Sequence, residues 1–328
     1  MIRDLSKRKG VFFVKIVFMG TPDFAVPSLK ALVQEGYKVV GVVTQPDRPK
    51  GRKKVLTPPP VKEAAIELGI ETVQPEKIKS CPETLAKLKE WNPDLIVTAA
   101  FGQLLPKEVL ELPRLRCINV HASLLPRYRG GAPIHQAIID GCTETGVTIM
   151  YMEQALDAGD ILSQVKVPIT EEDDVASMFH KLSIAGAKLL IETLPPLVEG
   201  KITPIPQDES LVTYSPNIKR EDEEIVWTKA GNDIFNHIRG LRPFPGAFTR
   251  VNGEICKVWE AIKTTDKNLT GDPGTIYRIN EQGIGVITGD QTGILLTQIQ
   301  PAGKKKMVVS DFIRGAGSSW FVGMKIGE

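Results

Sequence analysis

The sequence predicts an α/β protein in two parts: a Rossmann-like, mostly parallel sheet over residues 14–200 and a small OB-like β-barrel over residues 220–328. Three observations predict it. Continuous apolar runs of strand length alternate with helix-period segments through the first part, which is the signature of βαβ units and a parallel sheet. A stretch rich in proline and polar residues, 201–219, then interrupts the pattern as a linker. Beyond it come short, glycine-bounded segments of alternating polarity, the pattern of a small antiparallel barrel.

The elements follow in order. Residues 14–20 form an apolar run ended by Gly20, a buried strand. Pro22 and Asp23 suit a helix start, and Leu29, Leu32 and Val33 carry the helix to Gly36. Residues 38–44 are the second strand; residues 61–68 are a helix closed by Gly69, and Thr72 and Val73 a short strand. A helix over 82–91 turns Leu85 and Leu88 inward, and a strand at 94–100 leads through residues 101–106 and a short helix at 107–112 to a strand at 117–121. A glycine-rich turn, 127–133, opens a helix over 134–140. Strands at 146–152 and 163–169 flank the tight Asp157-Ala158-Gly159-Asp160 turn, and residues 174–198 form a long amphipathic helix closed by Gly200. In the second part a helix over 230–241 precedes strands at 247–251, 254–259, 274–279, 285–288 and 293–298, with Lys304-Lys305-Lys306 at a hairpin tip.

The totals exclude several classes. A formal net charge of +2 over 328 residues does not announce a nucleic-acid binder, so any such role must come from a local patch. No apolar run is long enough to span a membrane. The four cysteines, Cys81, Cys117, Cys142 and Cys256, form no CxxC, and no histidine completes a zinc pattern; they read as reduced thiols of a cytoplasmic protein without a metal. Residues 1–10 are polar and basic and the apolar 11–14 run merges into the first strand; residues 1–13 read as a disordered extension or the product of an upstream start codon, dispensable for fold and activity. Gly20 stands alone without a GxGxxG, which argues against a dinucleotide site.

Chemistry concentrates at residues 117–126. Asn119 and His121 lie two apart in a mostly apolar strand, so both point to one face. Buried polar groups need partners, and for an isolated pair a purely structural role is the plain alternative. One aspartate of the Asp157–Asp160 turn, if functional, belongs beside His121; the alternative is turn chemistry. Gly102 permits an irregular backbone beside a ligand in the 101–106 loop, with an ordinary loop as the equal alternative. His135 reads as structural. Residues 45–60 set five cations, Arg48, Lys50, Arg52, Lys53 and Lys54, against one acid, Asp47. Proline and glycine keep the segment out of regular structure. It is either a solvated loop or a flexible arm for phosphates, and it leaves the carboxyl end of the second strand, where open α/β sheets place their sites.

The run Asn119-x-His121-x-Ser123-Leu124-Leu125-Pro126, then Gly146-Val147-Thr148 and Asp157-Ala158-Gly159, resembles the folate-dependent formyltransferase superfamily. Residues 20–24, the 44–49 run with its basic loop, Arg129-Gly130-Gly131-Ala132-Pro133 and the terminal barrel extend the similarity over nearly the whole chain, toward the branch that acts on methionyl initiator tRNA. The resemblance implies 10-formyltetrahydrofolate as donor, the α-amine of methionyl initiator tRNA as acceptor and a catalytic trio of Asn119, His121 and Asp157. It implies folate contacts from Ser123, Leu124, Leu125 and Pro126, to which we add Phe101, Gly102 and Gln103. It implies tRNA contacts from Arg48, Lys50, Arg52, Lys53 and Lys54, and a monomer needing no protein partner.

The chemistry asks for these residue types. An oxyanion forms as an amine adds to a formyl carbon, and an amide NH2 such as that of Asn119 can donate to it. The attacking amine loses a proton and the leaving nitrogen gains one, work that suits an imidazole. Asp157 would orient His121 by a direct hydrogen bond or act through water. Ser123 lacks the setting of a nucleophile. A formyltransferase for a small amine, nucleotide or sugar nucleotide, and a non-catalytic RNA-binding protein, are the two rivals; the first leaves the basic loop and barrel without a role, the second leaves the trio without one.

Overall fold

The protein, seen in a computed structural model, is described for residues 14–51, 53–315 and 319–328. Residues 1–13 and Arg52, for which the sequence carried expectations, lie outside the described residues. The chain divides into two compact units. The first takes residues up to Pro133, Thr145–Pro168 and Phe179–Ser215; the second takes Ile134–Glu144, Ile169–Met178 and Pro216–Glu328. The segment read as a linker therefore joins the first unit as far as Ser215, and two segments from within the expected first domain belong to the second unit.

The first unit opens with β1 (Lys15–Gly20), α1 (Val26–Gln34) and β2 (Lys38–Val43). The small hairpin β3 (Arg48–Lys50) and β4 (Val55–Thr57) follows, then α2 (Pro60–Glu67), β5 (Thr72–Val73), α3 (Pro82–Trp91) and β6 (Leu95–Ala99). Next are α4 (Lys107–Leu110), β7 (Cys117–His121), α5 (Pro133–Ile139), β8 (Glu144–Tyr151), β9 (Ile161–Pro168) and the long α6 (Val175–Val198), of which α5 and the first turn of α6 count with the second unit.

Seven strands pair in the order β5-β2-β1-β6-β7-β8-β9. From β5 to β7 the pairs are parallel, and β7 with β8 is antiparallel. The order reverses between β1 and its neighbour β6, the switch point at whose carboxyl edge such sheets hold ligands. Ile16, Val17, Phe18 and Met19 are fully buried, as a strand covered on both faces requires. The hairpin is the main departure from expectation. The basic segment is an antiparallel pair, Arg48 against Thr57, Pro49 against Leu56 and Lys50 against Val55, turning at Gly51. Its proline sits on a two-stranded ribbon with free edges, where no ladder bond is lost.

The second unit contains α7 (Gly231–Gly240), β10 (Ala247–Val251), β11 (Glu254–Lys263), β12 (Ile276–Asn280), β13 (Gly283–Ile287), β14 (Gly293–Gln300), β15 (Met307–Val308) and α8 (Val309–Arg314). The strands pair antiparallel in the order β10-β11-β14-β13-β12, with β15 on β14. The last residues of the chain join the two edges. The Ile276 N–H donates to Met324 O and the Ile326 N–H to Gly274 O, while the Gly327 N–H donates to Arg250 O, at 2.8, 2.9 and 2.8 Å. Both edge strands are thereby covered, which removes the exposed edges an open sheet would present. Ile234 and Ile238 of α7 pack with Ile284, Val286, Ile294, Leu296 and Ile299 inside.

Candidate active site

Asn119 and His121 end β7, beside the switch point. In the parallel pair Thr98 of β6 is the register partner of Asn119, so their side chains meet on one face. The Thr98 hydroxyl donates to Asn119 Oδ1 at 2.7 Å. That contact turns the amide so that its NH2 points away from Thr98, and among the described residues no protein acceptor takes those protons. Asn119 is half-buried, His121 buried.

The His121 ring is fixed at Nε2, which lies 3.0 Å from the Tyr128 carbonyl oxygen. A carbonyl can only accept, so Nε2 carries the hydrogen. Nδ1 then faces Asp157, with Oδ2 at 3.7 Å. This is an ion-pair separation, too long for the direct hydrogen bond offered by the sequence reading. The physical reason is local: Asp157 Oδ2 already accepts from the Gly130 N–H at 2.9 Å. Asp157 itself is left-handed, at φ 48°, a conformation Asp tolerates better than most residues. Two glycines make room. A Cβ on Gly159 would stand 2.0 Å from Tyr151 O, and Gly130, at φ 120°, would put one 2.7 Å from Ser215 O.

The turn after β7 is pinned from β8 and β9. Thr148, opposite His121 in the antiparallel register, donates to Ser123 O at 2.7 Å and accepts from the Leu125 N–H at 3.1 Å. Gln164 donates to Leu125 O and to the Thr148 hydroxyl, at 2.8 and 2.9 Å. The Leu125–Pro126 peptide is cis. Ser123 is fully buried and its hydroxyl donates to Arg127 O at 2.6 Å, while Leu125 packs with Met150 and Ile161. Of the four residues assigned to folate in this stretch, Leu124 and Pro126 are the half-buried ones.

Phe101 is buried, and its carbonyl accepts from Thr21 Oγ1 and Gln45 Nε2, both at 3.1 Å. Gln103 spends both ends of its amide inside the protein, accepting from the Ile78 N–H at 2.7 Å and donating to Pro75 O at 3.2 Å. Gly102 is exposed, at φ 81°. Lys50, Lys53 and Lys54 are exposed on the hairpin, and Arg48 forms an exposed ion pair with Glu76 at 2.5 Å. At the hairpin's root Asp47 accepts from Gln74 at 2.7 Å and from Lys62 at 2.8 Å, which holds its carboxyl below the usual range.

Several contributors escaped the sequence reading: Thr98, the Tyr128 carbonyl, and three residues of the former linker. Thr213 Oγ1 accepts from the Tyr128 N–H at 2.9 Å, Ser215 Oγ donates to Tyr128 O at 3.2 Å, and Gln207 donates to Asp157 O at 2.8 Å. A polar hydroxyl in the apolar 95–99 strand was the available signal for Thr98. The contacts from residues 207–215 span 50 to 87 positions and leave none, and the Tyr128 carbonyl, seven residues past His121, is a backbone atom that no residue type marks. His135 hydrogen-bonds Phe244 O at 3.3 Å, and burial pushes its pKa down. Among the described residues no group of three or more His, Cys, Asp or Glu side chains is placed to hold a metal ion, and no helix is long and apolar enough to cross a membrane.

A mostly parallel sheet that gathers an amide, an imidazole and a carboxylate at its carboxyl edge has the form of an α/β enzyme with its site at the strand ends. Comparison with known proteins narrows the class. A formyl transferase profile matches residues 14–194, and a formyl transferase C-terminal domain profile matches residues 217–317. The chain belongs to the formyl transferase family. Within the family the similar curated relatives are methionyl-tRNA formyltransferases: that of Geobacillus sp. strain WCH70 is 58% identical over 315 residues, covering 96% of this chain and 98% of the relative. That of Bacillus subtilis strain 168 is 57% identical over 302 residues, 92% and 95% of the two chains. Solved structures share the fold at lower identity. HypX from Aquifex aeolicus in complex with tetrahydrofolic acid is 18% identical with a TM-score of 0.61, over 93% of this chain and 48% of that one. The N-formyltransferase from Helicobacter canadensis, in complex with folinic acid and dTDP-3-aminofucose, is 18% identical with a TM-score of 0.66, over 88% and 100%.

Proposed function

We propose that this protein transfers the formyl group of 10-formyltetrahydrofolate to the α-amine of methionyl initiator tRNA in the cytoplasm, giving formylmethionyl-tRNA for translation initiation. The observation that carries the chemistry is the Asn119 amide, held by Thr98 through Oδ1 with its NH2 left for an oxygen that is not part of the protein. A carbonyl oxygen gaining negative charge is the fitting acceptor.

In this reading the amine adds to the formyl carbon, a new C–N bond forms, and the bond from that carbon to the folate nitrogen breaks. The proton lost by the amine ends on the departing nitrogen. Asn119 donates to the oxygen while its charge develops. Nε2 of His121 is held by Tyr128 O, so Nδ1 is the nitrogen that takes and returns the proton. Asp157 stands 3.7 Å from Nδ1 and sets a carboxylate oxygen beside the nitrogen that handles the proton. No side-chain nucleophile and no metal are required. Backbone of the Ser123–Pro126 turn and the exposed Gly102, with the half-buried Leu124 and Pro126, supply the surface for the donor. Lys50, Lys53 and Lys54 of the basic hairpin, together with Arg52 from the same stretch of sequence, grip acceptor-arm phosphates, and the second unit of the monomer extends the hold on the tRNA. Phosphate contacts of this kind position an RNA without reading its sequence.

The test is a labelled-formyl transfer assay from 10-formyltetrahydrofolate with methionyl initiator tRNA, a charged elongator tRNA and an amino-sugar nucleotide as acceptors. Label on the initiator methionine is the expected result. Label on the sugar nucleotide alone would reassign the acceptor.

A further inference from the structure

We propose that Gln207 is a positioning residue for the Asp157 carboxylate, acting from a strap that the chain throws back over the site after α6. The inference rests on the formyl-transfer reading above. Gln207 lies in the polar, proline-containing stretch between the long helix and the second unit. Its Nε2 donates to two backbone carbonyls at once, Asp157 O and Gly159 O, both at 2.8 Å. Its Oε1 accepts from Arg129 Nε at 3.0 Å. The Arg129 guanidinium is almost wholly buried and closes the chain of contacts on Glu209, at 2.8 Å from Nη2. Every hydrogen-bonding atom of the Gln207 amide is thus committed, and its donors converge on one turn.

That turn is the one that needs holding. Asp157 is a non-glycine residue at φ 48°, and Gly159 is pressed against the Tyr151 carbonyl so closely that no side chain fits. Neither residue is fixed by regular strand pairing, since β9 begins only at Ile161. The carboxylate direction follows from the backbone of this turn, through φ at Asp157 and the Gly130 N–H bond. The same strap holds the opposite side: Ser215 donates to Tyr128 O, the carbonyl that takes His121 Nε2, and the Ser215 N–H donates to Arg129 O at 2.8 Å. The strap therefore sets the carboxylate on one side of the imidazole and the ring anchor on the other, while touching neither reacting centre. A geometry error of this kind is costly because transfer depends on alignment.

The experiment compares parent, Gln207→Met, Asp157→Asn and the double variant in formyl transfer from 10-formyltetrahydrofolate to methionyl initiator tRNA. Met keeps the length of the side chain and removes its donors. Q207M should lower kcat about tenfold to a hundredfold with KM for both substrates within about twofold of the parent. In the D157N background the same change should cost no more than about twofold, since residues acting as one unit are non-additive. Penalties that multiply, an unchanged kcat, or a rise in KM in place of the fall in kcat would each overturn the inference. Gln207→Glu is the second variant: it retains the Arg129 contact, lacks the donors and turns an acceptor oxygen toward the two carbonyls, so it should lower kcat at least as far as Q207M, and a milder loss would overturn the inference. Loss of a cooperative melting transition in both would also overturn it, by making Gln207 a residue of folding. A structure of Q207M reads the inference without activity: Asp157 should leave the Gly130 N–H. Silence of the parent toward methionyl-tRNA would then defeat the transfer reading alone.

Discussion

Nε2 of His121 and the carbonyl oxygen of Tyr128 are 3.0 Å apart, and this contact assigns the two ring nitrogens different work. The first is spent on holding the ring; the second faces Asp157 across 3.7 Å. The division makes the two aspartates of the 157–160 turn experimentally separable. In Asp157→Asn the amide oxygen can keep the Gly130 N–H bond, so the backbone survives and the charge is lost. We expect kcat to fall about a hundredfold or more, within the range that a general acid–base group contributes. Asp160 meets β8 through its backbone, accepting from the Tyr151 N–H at 3.0 Å, and Asp160→Asn should stay within about threefold, as substitutions away from such machinery do. Steady-state kinetics of the two variants checks the order, and a larger loss at 160 would reverse the assignment.

The Thr98–Asn119 contact supports a graded pair of outcomes. Asn119→Ala removes the donor itself and should reduce kcat by about a hundredfold to a thousandfold, the loss typical of an oxyanion donor. Thr98→Val leaves the amide in place and releases its orientation. A single hydrogen bond is worth about 1 kcal/mol, so about a fivefold fall in kcat is expected, with KM for the folate little changed. A T98V enzyme as slow as N119A would mean that Thr98 does more than orient.

The strand bearing Asn119 and His121 was legible in the sequence because side-chain alternation is a local property: two polar residues at i and i+2 in an apolar run share a face whatever the rest of the chain does. The parallel sheet was legible for the same reason, from apolar runs and glycine stops. What escaped is what sheet order and chain return decide. Thr98 reaches Asn119 only because β6 lies beside β7, and Gln207 reaches Asp157 only because the chain doubles back after α6. Neither is written in any window of residues. Burial within the motifs was likewise not legible. Ser123 and Leu125, assigned to the cosubstrate, turn their side chains into the protein, and Gln103 is consumed by Ile78 and Pro75. The basic segment was read as irregular because proline and glycine dominate it, yet a two-stranded ribbon asks nothing of Pro49 that it cannot give.

Exposed lysines on the hairpin lead to an ionic-strength prediction. Each phosphate neutralised releases condensed counterions, with a slope of about 0.7 to 0.9 in log K against log salt per contact. KM for methionyl-tRNA should therefore rise steeply with salt, and Lys50→Ala, Lys53→Ala and Lys54→Ala should each weaken binding and lower the slope by about 1. KM for the folate should be insensitive by comparison. Arg48 is engaged with Glu76, so Arg48→Ala should change the slope less than the lysines do. Filter binding at several salt concentrations measures both quantities, and equal slopes for parent and lysine variants would remove the hairpin from the tRNA contact.

The second unit carries a pH dependence of its own. Burial pushes the imidazole of His237 below its ordinary 6.5, with the Glu223 carbonyl, 3.4 Å away, as its hydrogen-bond partner. His135 is lowered by burial in the same way. The sign follows from proton counting. Below about pH 6.5 the unfolded chain binds protons at these histidines that the folded chain refuses, so falling pH favours the unfolded state. The loss continues until pH reaches the lowered folded values, where both states are protonated and no more is lost. Above about pH 7.5 both states are neutral there and the histidines contribute no slope. The melting temperature of the parent should thus drop between pH 7.5 and pH 5.5. Gln at 237 keeps a donor for Glu223 O and cannot titrate, so the drop in His237→Gln should be smaller than in the parent, with His121 and His180 common to both. A drop of equal size in the two proteins would show that His237 binds its proton as readily in the folded state as in the unfolded one.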